Sequence, residues 1–232
     1  MEIKLEKEKI FKVAPSGVDY ALKCKRCLWL SYRGIKLDMF FPPIFNAFDL
    51  IQKKFLTSKS TKIMSNTLPD GRVMTELNGF IGSKILKDKK GRSFEIRGKT
   101  DVVIEFNSKP KKYGIIDLKT TTINPSKVEN YKLQLESYAT IFEKPNNKTP
   151  KFSNIEELGL YLFEPKKITD ISNNNCNMKF ETLYLKGYRC HEELINRITA
   201  IIDVYLSKNP PEYNLNCSNC KFVMSLIKEK YI

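Results

Sequence analysis

The chain has 232 residues, enough for one sizeable core, and its 41% hydrophobic and 11% aromatic content excludes a disordered polymer. Forty basic against 26 acidic side chains leave a net charge of +14, which points to a polyanionic partner: nucleic acid first, an anionic membrane surface second. The ten glycines never fall two apart and no GxxxxGK[S/T] occurs, which argues against a P-loop ATPase; the single histidine, His191, argues against zinc enzymes needing several His ligands.

The opening, MEIKLEKEKIFKV, alternates charged and apolar residues and does not read as a signal peptide. No apolar run approaches membrane-spanning length, so a cytoplasmic setting with reduced thiols is the expectation. Ser16 is placed to cap a helix over about Gly17 to Leu30. Phe40 to Pro43 (FFPP) breaks the chain, and a second helix is expected from Ile44 to Leu56 with Phe45, Phe48, Ile51 and Phe55 on one side. Residues 57 to 72 are polar, with a turn at Pro69-Asp70-Gly71, and residues 73 to 86 fit a strand or a short helix.

Residues 84 to 99 carry seven basic and two acidic side chains around a Lys-Lys-Gly turn. EIRGKTDVVIEF and KYGIIDLKTTT then read as two strands of a hairpin. Next comes a helix capped by Asn124, with Pro125 at its first position and Ser126 with Glu129 as a capping box. Val128, Tyr131, Leu135, Tyr138, Ala139 and Phe142 mark its apolar face. ELGLYLFEP and MKFETLYLK are two more strands separated by an Asn-rich loop, Asn173 to Asn175. A last long helix carries Leu194, Ile198, Ile201, Ile202 and Tyr205 on one face and stops at Pro210-Pro211. No repeat or domain boundary is visible, so residues 1–232 read as a single domain.

The stretch richest in chemistry is Gly98-Lys99-Thr100-Asp101, followed sixteen residues later by Asp117-Leu118-Lys119. The period of two in a strand puts Asp117 and Lys119 on one face, and a hairpin could bring Asp101 beside Asp117. Two adjacent carboxylates repel and favour a divalent cation between them. Such a cation can activate water and bind a phosphate oxygen, while a nearby ammonium stabilises developing negative charge. An isolated D-x-K is more often a plain salt bridge on a sheet, but here a GxxD strand, a D-x-K strand and a helix with Gln134-x-x-x-Tyr138 follow in order.

The run GKTDVVIEF…YGIIDLKTT…YKLQLESYA resembles the PD-(D/E)XK nuclease superfamily, in its RecB-like and CRISPR-adaptation-nuclease branch. The resemblance covers about residues 95 to 142. It implies an α/β fold with a restriction-endonuclease-like core, a central mixed sheet flanked by helices. It also implies Asp101, Asp117 and the Leu118 carbonyl as ligands of Mg²⁺ or Mn²⁺, and Lys119 as the catalytic lysine. Gln134 and Tyr138 would lie near the metal and the DNA backbone, although core packing is an equal reading of Tyr138. The family places a further ligand, His or Glu, on an earlier helix. No His is available there; Asp49 is the best candidate and Glu76 the runner-up, and Asp49 reads equally well as a solvated surface acid.

Cys24-x-x-Cys27 and Cys217-x-x-Cys220 form a possible Cys₄ metal set joining the two ends of the chain; Cys176 and Cys190 read as free thiols. Relatives in this branch carry a [4Fe–4S] cluster on one N-terminal and three C-terminal cysteines. The two-plus-two pattern here departs from that and leaves Zn²⁺ open beside [4Fe–4S]. The expected function is a divalent-metal-dependent DNA nuclease acting in DNA repair, recombination or processing, on single strands or duplex ends. Lys87, Lys89, Lys90 and Arg92 would track phosphates, and a helicase or recombination protein is a candidate partner. The alternative is a non-catalytic, zinc-stabilised nucleic-acid-binding module.

Overall fold

The computed structural model describes residues 9–35, 42–74, 77 and 79–229; the charged opening octapeptide, Phe40–Phe41 and Glu76 lie outside them. The chain begins with β1 (Phe11–Val13) and a short helix α1 (Pro15–Val18). Ala14, not Ser16, is the cap, because Pro15 has a fixed φ and no N–H to satisfy and so starts the turn one residue earlier. The expected continuous helix to Leu30 is interrupted by a 3₁₀ turn at Ala21–Lys23 and by Cys24, whose backbone is extended. Helix α2 (Lys25–Tyr32) restarts beyond it, with the Cys24 sulfur accepting the Cys27 N–H.

Helix α3 (Pro43–Leu56) has the expected span but the opposite orientation. Ile44, Phe45, Leu50, Ile51 and Phe55 are exposed, while Gln52, Lys53 and Leu56 are buried. Phe48, on the expected apolar face, packs edge-on against the Phe180 ring. The inward stripe is polar because it closes over polar groups: Gln52 donates to Thr120 and Lys53 reaches Asp101.

Short strands β2 (Gly71–Val73), β3 (Ile81–Gly82) and β4 (Leu86–Lys87) follow. EIRGKTDVVIEF is not one strand but two, β5 (Ser93–Gly98) and β6 (Val102–Phe106), which belong to different sheets. The break at 99–101 has a steric partner at its start: a side chain on Gly98 would run into the Pro15 ring. β7 (Tyr113–Thr120) pairs antiparallel with β6 as expected, in a register of Val102 with Ile116. Helix α4 (Lys127–Glu143) then crosses to β8 (Ile155–Ser172), which runs parallel to β7, a βαβ unit. The capping box does not form: the Asn124 side chain accepts from Ser126, and Glu129 instead accepts from Tyr188.

β8 and β9 (Asn175–Lys186) make a hairpin longer than the two predicted strands. Asn173 and Asn174 at its tip both have positive φ, as a tight two-residue turn requires and as Asn tolerates. Helices α5 (His191–Leu206) and α6 (Ser218–Lys228) complete the chain; α6 was not expected from the sequence. One sheet runs β1-β5-β3 with β4 also on β5, and the other runs β2-β6-β7-β8-β9. This is the mixed α/β architecture expected.

β7 divides the core. Ile115 enters the larger cluster with Leu135, Ile141, Phe142, Leu160 and Ile198, while Ile116 and Leu118 enter a second one with Leu56, Leu68 and Ile104. Alternation therefore turns Asp117 and Lys119 toward the Ile115 side, under α4. Among the described residues no helix is long and apolar enough to cross a membrane.

Arg189 ties the end of the hairpin to α4 through Glu136 and Glu143. The Glu136 side chain is fully buried, so Arg189→Ala would leave a carboxylate inside the core without its counter-ion. The expected loss of stability is on the order of 3 kcal/mol, read by urea denaturation; a loss within error of zero would show that solvent compensates the charge.

Candidate active site

The β6–β7 pairing ends at Val102 with Ile116, and Asp101, the residue just before β6, reaches the following part of β7 through the Leu118 N–H. Asp101 and Asp117 both line a cleft of about 660 Å³ with Asp49, Gln52, Leu118, Lys119, Gln134 and Tyr138. Lys119 Nζ lies 2.5 Å from Asp117 Oδ2 and sits over the Tyr131 ring at 4.8 Å from its centroid. Gln134 Nε2 donates to Asp117 Oδ1 at 2.8 Å. Asp101 Oδ2 accepts the Leu118 N–H at 2.9 Å, which locks one acid to the strand that carries the other. Tyr138 donates to the Lys99 carbonyl, on the turn that leads into Asp101. Sequence reasoning therefore located all five of these side chains, and the fold brings them to one cleft.

It missed Lys53. The Lys53 ammonium lies 2.8 Å from Asp101 Oδ1 and 2.8 Å from Asp49 Oδ2. The acid–lysine spacing of i, i+4 on a predicted helix was the available signal. Asp49 does reach the cleft, where it holds Lys53. Asp19 was also missed: its carboxylate accepts the Leu133 and Gln134 N–H groups and so anchors α4 where Gln134 projects. Nothing in the local pattern at Asp19 marks that contact.

Burial pushes Asp117 up to about 7, with the neighbouring Asp101 adding to the rise and Lys119 opposing it. For Lys53 and Lys119 burial pulls the ammonium down, but the facing carboxylates outweigh it and both lie above the ordinary lysine value. Burial also raises the Tyr138 phenol, which stays a donor. Since Asp117 holds its proton more tightly when folded, its contribution to stability falls as pH rises from about 3.8 to about 7.

The residues fit a divalent cation. Asp117 Oδ2 is buried, ion-paired with Lys119 but reached by no donor in hydrogen-bond geometry. Two carboxylates facing one cleft supply the hard oxygen ligands that Mg²⁺ or Mn²⁺ takes.

The four expected cysteines also meet. The sulfurs of Cys24, Cys27, Cys217 and Cys220 lie within 4.8 Å of one another, with Cys24–Cys220 at 3.5 Å and Cys27–Cys217 at 3.6 Å. The Cys220 N–H holds the Cys217 thiol down to about 7, while burial pushes Cys24 up. Cys176 is exposed near the hairpin tip and Cys190 is a buried thiol; neither joins the group.

The expected phosphate track is not free. Lys89 pairs with Glu192, Lys90 with Asp203, and Arg92 with Asp88 and Asp203, so these cations hold the β4–β5 turn against α5. Arg97 and Lys99, by contrast, line the cleft.

The sequence profile of the PD-(D/E)XK nuclease superfamily matches residues 51–225, three quarters of the chain, and takes in Lys53, Asp101, Asp117 and Lys119 of the cleft but not Asp49. The chain belongs to the PD-(D/E)XK nuclease superfamily. Its membership makes nuclease activity the general expectation for the cleft. Among solved structures the fold is similar to that described as "Crystal structure of SSO0001", with a TM-score of 0.50 and 13% identity over 95% of this chain and 88% of the other. A search of curated proteins finds no match.

The Asp117 value is directly measurable. In the presence of EDTA, carboxyl ¹³C NMR should give it a midpoint near 7. A midpoint in the ordinary carboxylate range would mean that Lys119 neutralises the acid more fully than burial isolates it.

Proposed function

We propose that the chain is a divalent-metal-dependent deoxyribonuclease, with residues 1–232 acting as one nuclease domain. The observation that carries this reading is the Asp117–Lys119 pair at 2.5 Å with Asp101 bonded to the intervening Leu118 N–H, in one cleft. Asp101, Asp117 and the Leu118 carbonyl would hold Mg²⁺ or Mn²⁺. When bound, the ion would supply polarisation of the phosphate and a lowered pKa for water.

The remaining work falls to side chains already in place. Lys119, charged at neutral pH, orients the attacking water and stabilises charge on the phosphate oxygens. Gln134 fixes the Asp117 carboxylate through Oδ1. Tyr138 fixes the turn before Asp101 and is a positioning residue. Arg97 and Lys99 at the cleft attract the backbone without reading bases. The excess of positive charge supports a nucleic-acid substrate over a small phosphodiester.

We assign the Cys₄ site a structural metal that clips α2 to α6, as in the RecB-like branch. A tetrahedral ion with Zn–S bonds of 2.3 Å needs sulfurs about 3.8 Å apart, close to the spacing found. A [4Fe–4S] cube places iron and sulfide between the thiolates and requires them to spread. The spacing therefore favours Zn²⁺ over the cluster that the branch resemblance suggests.

Three experiments test these statements. Lys119→Ala should lower cleavage of DNA by at least about a hundredfold with the fold retained, and EDTA should stop the wild-type protein. Activity that survives either change removes the mechanism. Anaerobically purified protein should be colourless with one zinc per chain; a broad band near ~400 nm would establish the cluster instead. Serine at any one of Cys24, Cys27, Cys217 or Cys220 should release metal and expose α6 to protease, whereas serine at Cys176 or Cys190 should do neither.

A further inference from the structure

Lys53 has no place in the mechanism above, yet it is the more buried of the two lysines in the cleft, with a side chain only 10% exposed against 23% for Lys119. Its ammonium bridges two acids, Asp101 Oδ1 and Asp49 Oδ2, at 2.8 Å each. The other Asp101 oxygen is committed to the Leu118 N–H. Asp117 is engaged in the same way, by Gln134 at one oxygen and by Lys119 at the other. The site that should take a cation already contains two, one ammonium on each acid.

We propose that Lys53 is a built-in counter-ion of the acidic cleft, one that occupies the Asp101 oxygen a divalent cation would use and must let go before the cation can bind. This rests on the metal-site reading above. A divalent ion at Asp101 Oδ1 would stand close to the ammonium, and like charges at such a distance in a half-buried cleft repel strongly. Lys119 lies on the same strand as its partner Asp117, so no shift of one element against another separates them. Lys53 can move, because it comes from a different element and has a second partner on that element. Asp49 lies one helical turn before it, and its side chain is 42% exposed. A Lys53 released from Asp101 therefore stays neutralised on α3 rather than being stranded in the cleft.

The cleft then has two states, with Lys53 either on Asp101 or on Asp49 alone. Only the second takes the divalent ion, so the apparent affinity is reduced by the fraction of molecules in that state. Without the lysine, two carboxylates would face each other with one ammonium between them. The same contact thus holds the metal-free cleft together and weakens its hold on metal.

The experiment is a Mn²⁺ titration of the full chain, followed by the loss of the free Mn²⁺ EPR signal, for wild type, Lys53→Met and Lys53→Arg. Lys53→Met should bind Mn²⁺ about tenfold or more tighter, and Lys53→Arg should stay near wild type. Asp101→Asn identifies the binding as that of the cleft by weakening it. If Lys53→Met does not fold, Lys53→Gln makes the same comparison, since it keeps a donor for Asp101 without the charge. Equal or weaker binding by the uncharged variant would overturn the counter-ion role and leave the metal site standing. Binding by neither protein, or binding indifferent to Asp101→Asn, would overturn the metal site and this inference with it.

Discussion

Two carboxylates brought into one cleft at the end of a hairpin are the constraint on which the rest of the structure depends. Asp101 and Asp117 would repel across the cleft if left alone. Each is held by one backbone or amide donor and one ammonium: Leu118 N–H and Lys53 for Asp101, Gln134 and Lys119 for Asp117. Those four groups come from α3, β7 and α4. The cleft is therefore the place where three elements are fixed to one another by charge as well as by packing.

Placing that cluster requires strong support behind it. β7 lies between an antiparallel and a parallel neighbour, and its Ile115 and Ile116 are fully buried on opposite faces. Helix α4 is held from two further sides. Asp19 accepts its backbone N–H groups beside Gln134, and Arg189 pairs with Glu136 and Glu143 farther along. The basic turn between β4 and β5, which reads in the sequence as a phosphate surface, spends its charges on α5 instead. A count of positive residues does not distinguish cations that face solvent from cations that bind an acid 100 residues away.

α3 and α6 show where local patterns mislead. α3 has the apolar stripe of an ordinary amphipathic helix, yet it turns that stripe to solvent. The inward side carries Gln52 and Lys53, which meet Thr120 and Asp101 in the cleft. Cys217 caps α6 as Cys24 caps α2, and with Cys220 and Cys27 inside the helices they meet across about 190 residues of chain. Their proximity ties an N-terminal and a C-terminal helix whose own buried surface is small: Cys220 is the single buried residue of α6.

By itself the sequence determined what depends on short-range order. The period of two puts Asp117 and Lys119 on one face. The spacing of four puts Gln134 and Tyr138 on one helix face. Each CxxC spacing brings its own two thiols within reach of one another. These follow from backbone geometry that neighbouring residues impose on one another. The tertiary structure alone decided which face of α3 points inward, that the strand through Gly98 and Asp101 is divided between two sheets, and that Lys53 rather than a third acid stands next to Asp101. Each is an outcome of competition between groups distant in the chain for the same buried space, and no window of sequence contains both competitors.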